Sequence, residues 1–243
     1  MKFLIIGESC LDSYHYGKCT RLTPEAPVPV FNSTSVSNNG GMAMNVYNNI
    51  KVFTEHVDIH TNANWEKIKK TRFVEENSNH MFLRLDENDN NYGKIDLSNI
   101  DFALYDAVVV SDYNKGYLTE KDLLYISTSH KNVFLDTKKT LGEWCKNFSY
   151  IKINWNEYAK TKHTVDKDIK DIVIVTQGSK GCFYKSKTYP VSLVEVKDVS
   201  GAGDTFLACF SYKFTITNDF DESIKFANQC STKVVQKRGV TTV

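Results

Sequence analysis

The sequence predicts an α/β fold built on a central, mostly parallel sheet with helices on both faces. Three observations carry that prediction. Short, largely apolar runs recur at Ala107–Val110, Val133–Leu135, Tyr150–Ile153 and Ile172–Val175, and strands of this kind are buried on both faces. Helical segments alternate with them, beginning with Glu120–Ser127, which is the order of a parallel sheet. No linker, repeat or low-complexity tract divides the 243 residues, a length that suits one large domain.

The remaining elements follow in order. Phe3–Ile6 reads as a buried opening strand ended by Gly7. Pro24, Pro27 and Pro29 surround Val28–Phe31, which suits an edge strand or an extended arm because proline cannot donate to a ladder. Gly40 and Gly41 precede a helix over Met42–Val52, where Met44, Val46, Ile50 and Val52 follow helical spacing. The stretches around Thr71–Val74 and Met81–Leu85 form a hairpin across an Asn-rich turn. Gly181–Val196 reads as two or three antiparallel strands, and helices from about Gly203 to Phe214 and Asp221 to Gln236 close the chain.

Composition narrows the function. A net charge of +1 creates no field that favours nucleic acid or an anionic membrane, so neither is expected as a partner. The first apolar run is too short for a signal peptide and meets Glu8 and Asp12 at once. No stretch approaches transmembrane length. The six cysteines are scattered, with no C-x-x-C pair, as buried thiols of a reduced, cytoplasmic protein would be.

Residues 196–206, VKDVSGAGDTF, hold the densest chemistry. Gly201, Ala202 and Gly203 are small enough for backbone N–H groups to approach a ligand, and a helix starting there aims its positive end at an anion. Asp204 would be repelled by that anion unless it removes a proton from a group attacking it. The other reading is an N-cap aspartate after a tight turn. The motif alone leaves both open.

In an open α/β sheet, ligands sit beyond the carboxyl ends of the strands. Four polar clusters fall there: Asp12, Ser111–Gly116 (SDYNKG), Asn154–Glu157 (NWNE) and Thr176–Gly181 (TQGSKG). Each is also an ordinary turn composition, but with Asp204 they share one end of the sheet. Familiar nucleotide signatures are missing: there is no G-x-x-x-x-G-K-[ST], no third glycine of a dinucleotide fingerprint, and no protein-kinase H-R-D or D-F-G. His56 and His60 lie in the alternating TEHVDIHTN and read as a surface strand rather than a metal site. Lys67, Lys69, Lys70 and Arg72 are either a solvated face or a phosphate contact beside the hairpin.

Together these residues resemble the ribokinase-like (PfkB) family of carbohydrate kinases. DVSGAGDTF is similar to its C-terminal signature, Gly40-Gly41 with Asn45 to its N-terminal glycine pair, Asn154…Glu157 to N-x-x-E, and Thr176…Gly181 to T-x-G-x-x-G. The resemblance implies a ribokinase-like α/β fold with a small β lid, one domain over residues 1–243, and lid and dimer strands at about 17–36 and 70–86. It implies ATP as phosphoryl donor, Mg²⁺, and an open question over a monovalent cation. Asp204 would be the base that deprotonates the acceptor hydroxyl, with Gly201, Ala202 and Gly203 as the anion hole. Asn154 and Glu157 would hold phosphates and metal, Glu157 through water. Thr176, Gly178 and Gly181 would line the nucleotide site, and Asn228 would border the adenine. Asp12, Gly40, Gly41, Asn45, Asp112 and Lys115 would face the sugar, and Lys115 or Arg84 would suit a substrate phosphate.

Within the family, Arg21–Val30 (RLTPEAPVPV), Leu83–Asp86, SDYNKG and the ending GVTTV are similar to kinases acting on the anomeric hydroxyl of D-glycero-D-manno-heptose 7-phosphate on the way to ADP-heptose. This similarity implies a sugar-phosphate acceptor, and the Pro24–Phe31 arm, which resembles the lid and dimer strands of relatives, implies a homodimer. The alternatives are a kinase for another sugar or nucleoside, or a catalytically weak binding relative. The retained Asp204 and its intact turn favour catalysis. Thr54–Lys67 stands where the family has a longer strand–helix unit. No H-x-G-H occurs among the six histidines, so nucleotidyl transfer would fall to another protein.

Overall fold

Successive side chains of a strand point to opposite faces, so strands that are apolar throughout require a nonpolar layer on each side. The computed structural model of the chain, which describes residues 1–163 and 165–243, meets that requirement. In chain order its elements begin with β1 (Phe3–Gly7), β2 (Leu11–Leu22), β3 (Pro29–Asn39), α1 (Gly41–Lys51) and β4 (Val57–His60). Next come β5 (Lys69–Glu75), β6 (Met81–Glu87), β7 (Ala107–Asp112), α2 (Glu120–Ser129) and β8 (Val133–Thr137). Then follow β9 (Tyr150–Asn154), α3 (Trp155–Thr161), α4 (Lys167–Lys170), β10 (Val173–Thr176), β11 (Cys182–Tyr184) and β12 (Lys187–Tyr189). Finally, α5 (Ala202–Thr217) and α6 (Phe220–Val234) complete the fold.

Eight strands form the main sheet in the order β12-β11-β10-β9-β8-β7-β1-β4. From β10 to β4 they run parallel, and β11 and β12 add an antiparallel margin. Leu4, Ile6, Val108, Val110 and Leu135 face one layer, completed by Leu123 and Ile126 of α2. Their neighbours Phe3, Ile5, Val109 and Phe134 face the other, filled by Val46 and Ile50 of α1, Phe206 and Phe210 of α5, and Ile224 of α6. Helix α5 lies between the sheet and α6 and is buried continuously from Asp204 to Ser211, so its sequence is apolar nearly all round.

A second sheet, ordered β3-β2-β5-β6, forms the lid. Its strands begin earlier and end later than the anticipated 17–36 and 70–86 stretches. Strand β2 was illegible because its sequence is polar and its ladder to β3 is bulged near Gly17 and Arg21. Phe31, Phe73 and Phe82 form edge-to-face contacts on it, while Leu83, Leu85 and Val36 stay exposed. The β5–β6 hairpin is latched to the body at its tip. Asn79 Nδ2 donates to the Lys197 carbonyl at 2.6 Å, and Arg238 donates to the carbonyls of Glu76 and Asn77.

Other departures are local. Two antiparallel strands occupy the stretch read as two or three, but they end at Tyr189, and residues 190–199 run without regular structure to the turn at Gly201. Helices α3 and α4 had no clear apolar period because they are short. Between β4 and β5 there is one 3-10 turn, Trp65–Lys67, and no α-helix, so β4 is the outermost strand. His60 ends β4 with Nδ1 3.2 Å from the Tyr117 hydroxyl, whereas His56 precedes the strand, so only one of the two histidines lies on it.

Candidate active site

The carboxyl ends of β7 to β10 converge on the start of α5 around a cleft of about 450 Å³. Gly201 is the helix N-cap, in the left-handed region at φ +77°, where only glycine sits without strain. A Cβ there would lie 2.6 Å from Asn45 Nδ2, and one on Gly203 would lie 2.7 Å from Lys152 Nζ. Both glycines therefore make room for polar groups at the turn. Gly201→Ala is expected to cost about 1–3 kcal/mol in backbone strain and to push Asn45 aside; a shift of the urea midpoint with reduced kcat would record it.

Asp204 is not a cap. It lies inside the first turn of α5, and its side chain accepts from Asn45 Nδ2 at 3.1 Å and from the Tyr113 hydroxyl at 2.9 Å. Burial pushes its carboxyl above the ordinary range, and the charge of Asp136 adds to this; Asn45, Lys152 and Tyr113 pull the other way. Burial, then the neighbouring Asp204 charge, drives the Tyr113 phenol well above its usual value, so it stays a donor. A desolvated carboxylate held by two donors beside a helix N-terminus can accept a proton from an incoming hydroxyl.

Three charged side chains of the cleft, Asp136, Lys138 and Lys152, were missed by sequence reasoning, and they link to Glu157. Lys152 Nζ sits 2.7 Å from Asp136 Oδ2, and Lys138 Nζ lies 3.4 Å from Asp136 Oδ1 and 2.7 Å from Glu157 Oε1. Only Glu157 had been noted. The missed signals were a lysine inside the otherwise apolar Tyr150–Ile153 and the DTKK run at the end of β8, since a charge in a buried strand needs a partner.

Asn154 and Glu157 form a reciprocal capping box on α3: Asn154 Oδ1 accepts from the Glu157 amide at 2.9 Å, and Glu157 Oε2 from the Asn154 amide at 2.7 Å. Asn154, Thr176, Gly178, Gly181 and Asn228 all line the cleft. Asn228 Nδ2 donates to the Tyr189 carbonyl at 3.1 Å. Asp12 lies on β2, ion-paired with Arg72, rather than in a loop after β1. Gly41 lies against it, since a Cβ there would be 3.5 Å from Asp12 Cβ. Its neighbour Gly40 is the N-cap of α1, and Met42 follows at φ +43°, a strained conformation of the sort stored at functional sites. Lys115 Nζ bonds Asp89 at 2.5 Å, and Arg84 on β6 is forked onto Asp86 at 2.7 and 2.9 Å.

Asp112 departs from the sugar-facing expectation. Strand alternation turns it to the α2 face of the sheet, with Val108 and Val110. There its carboxylate accepts from Thr137 Oγ1, from Lys139 Nζ at 2.7 Å and from the Asn114 amide. It buttresses the 113–116 loop and does not line the cleft.

A parallel sheet whose strand ends meet a buried carboxylate at a glycine-rich helix start is the arrangement of the ribokinase-like fold. The chain belongs to the pfkB carbohydrate kinase family, whose model matches residues 55–243. Among curated proteins it is 31% identical over 300 residues to the bifunctional protein HldE of Sulfurimonas denitrificans, a match spanning 100% of this chain and 62% of that protein. It is 30% identical over 291 residues to the HldE of Nitratiruptor sp., spanning 99% of this chain and 63% of that one. The chain thus spans less than two thirds of the length of these relatives. Solved folds agree: a ribokinase from Thermotoga maritima superposes with TM-score 0.71 at 15% identity, covering 99% of this chain and 94% of that one. A nucleoside kinase from Methanocaldococcus jannaschii gives 0.71 at 17%, covering 98% and 93%. No helix among the described residues is long and apolar enough to cross a membrane.

Proposed function

We propose that this sugar kinase uses ATP to phosphorylate the anomeric hydroxyl of D-glycero-D-manno-heptose 7-phosphate, with Asp204 as general base. The observation that carries the chemistry is Asp204 fixed by Asn45 and Tyr113 at the inner end of the cleft, one residue from a turn backed by Lys152. Support for the substrate comes from relatives named HldE at about 30% identity.

In this reading the nucleotide enters the cleft, with Asn228 and the apolar Val191–Val199 wall bordering its base and its phosphates toward Gly201, Ala202 and Gly203. A solved ribokinase from Arabidopsis thaliana carries ribose and ATP, which favours ATP here. Asp204 takes the acceptor proton, while Lys152 and Lys138 oppose charge spreading over the transferred group. Gly40, Gly41, Asn45 and Asp12 hold the sugar, and Lys115, Arg72 and Arg84 offer cations to its phosphate. The donor set fits Mg²⁺, which takes one or two carboxylates and completes its shell with phosphates and water. Glu157 would hold the ion through water, and when bound it supplies charge neutralisation. In this reading the enzyme works in the cytoplasm, where ATP is supplied.

The decisive experiment is a panel of sugars and sugar phosphates assayed for Mg·ATP consumption, with the product position read by NMR. Heptose 7-phosphate should lead the panel and yield the 1-phosphate. A different leading sugar removes the substrate assignment; no turnover on any removes the kinase reading. We further propose that the exposed lid residues Phe82, Leu83 and Leu85 meet a second copy of the chain. Sedimentation should then give twice the 27.7 kDa chain mass, and Leu83→Glu should return it to a single chain.

A further inference from the structure

Glu8 follows β1 and is completely buried, which carboxylates rarely are without a cationic partner. Among the described residues no lysine or arginine is ion-paired with it. Instead, Oε2 accepts from the Tyr113 amide at 2.8 Å and Oε1 from the Lys115 amide at 3.0 Å. Each oxygen therefore satisfies one backbone donor of the loop after β7. Its own carbonyl accepts from the Ala43 amide at 2.9 Å, in the first turn of α1. These two elements supply both donors to Asp204: Tyr113 from the loop and Asn45 from α1.

We propose that Glu8 is a positioning residue, whose carboxylate sets the 113–115 loop and so the Tyr113 hydrogen bond to Asp204. The consequence for catalysis rests on the reading of Asp204 as base; the coupling itself does not. Burial, aided by the Asp112 charge, raises the Glu8 carboxyl, and the loop amides oppose this. The phenols of Tyr92 and Tyr117 also feel its charge. Around Asp204 the other charged groups are Asp136, Lys138 and Lys152, and none is altered in the variants below.

Glu8→Gln is the direct probe. The amide can accept from one loop N–H but presents its own donor to the other, so the loop loses one of its two ties. The Asp204 carboxyl is titrated by ¹³C NMR of aspartate-labelled protein, its resonance identified by its loss in Asp204→Asn. Glu8→Gln and Tyr113→Phe should each raise the Asp204 midpoint by about one unit, the size of one lost hydrogen bond to the charged form. The double variant should match Tyr113→Phe alone, because both act through one contact. In turnover, the acid limb of the kcat profile should move up with Glu8→Gln while KM for ATP holds.

An unchanged Asp204 midpoint in folded Glu8→Gln overturns the proposal, as do shifts that add in full. If the amide variant does not fold, Glu8→Asp, one methylene short, takes its place in the same cycle; if neither folds, Glu8 is a folding residue and the proposal fails. The titration needs no turnover. An inactive wild type with intact coupling would remove the catalytic reading alone.

Discussion

Asp204→Asn should cut kcat by about 10²–10⁴-fold, the usual loss for a general base, and should stabilise the fold. The two effects share one cause. Burial and Asp136 raise the folded-state carboxyl of Asp204 above its unfolded value. Such a group contributes stability that is fully present below the unfolded-state value, about pH 4, and that is lost as pH rises through the folded-state value. Near neutrality the wild type carries that loss and the amide does not. Calorimetry across this range should show the variant's Tm advantage growing with pH, and ATP titration should show binding retained. A loss of activity under tenfold, or a Tm below wild type at neutral pH, would contradict the assignment.

Lys152→Met is the second large effect, and it runs the opposite way in stability. The side chains of Lys152 and Asp136 are only 5% and 3% exposed and 2.7 Å apart. Burial pushes the Asp136 carboxyl up, but the ammonium groups of Lys138 and Lys152 outweigh it and hold the group below the ordinary range. Its contribution is therefore present above the unfolded-state carboxylate value and lost as pH falls through the folded one. Removing Lys152 leaves buried Asp136 with the longer 3.4 Å contact to Lys138, at a cost of up to about 3–5 kcal/mol, a large part of a typical domain's stability. Adding Asp136→Asn should restore most of the urea midpoint. Turnover should stay low in both, because no ammonium then backs Gly203. Recovery of kcat with stability would make the pair structural only.

The sheet was legible because β7, β8 and β10 are apolar at nearly every inner position, a local signal that a two-sided core imposes. The Asp204 turn was legible because its small residues and carboxylate stand at the same end of the sheet as the other polar clusters. What escaped detection depends on partners distant in sequence. Glu8 acquires its meaning only from amides over a hundred residues away. Strand β2 buries polar Asp12 and Ser13 beside Tyr14, so it lacks the apolar period of a core strand. Asp112 stood at the right strand end but on the wrong face, a distinction of one residue in register.

The hairpin latch joins the lid to the wall of the cleft. Asn79 holds Lys197, which stands beside Val196 in the cleft wall, while Asp198 receives the Gly239 amide next to Arg238. Lid and cleft wall thus share one set of fastenings and cannot loosen separately without breaking some of them. Ordering either one spares part of the entropy of ordering the other. With nucleotide in the cleft and acceptor under the lid, as proposed, reciprocity would make any such coupling symmetric: the factor by which nucleotide tightens the acceptor would be the factor by which acceptor tightens nucleotide.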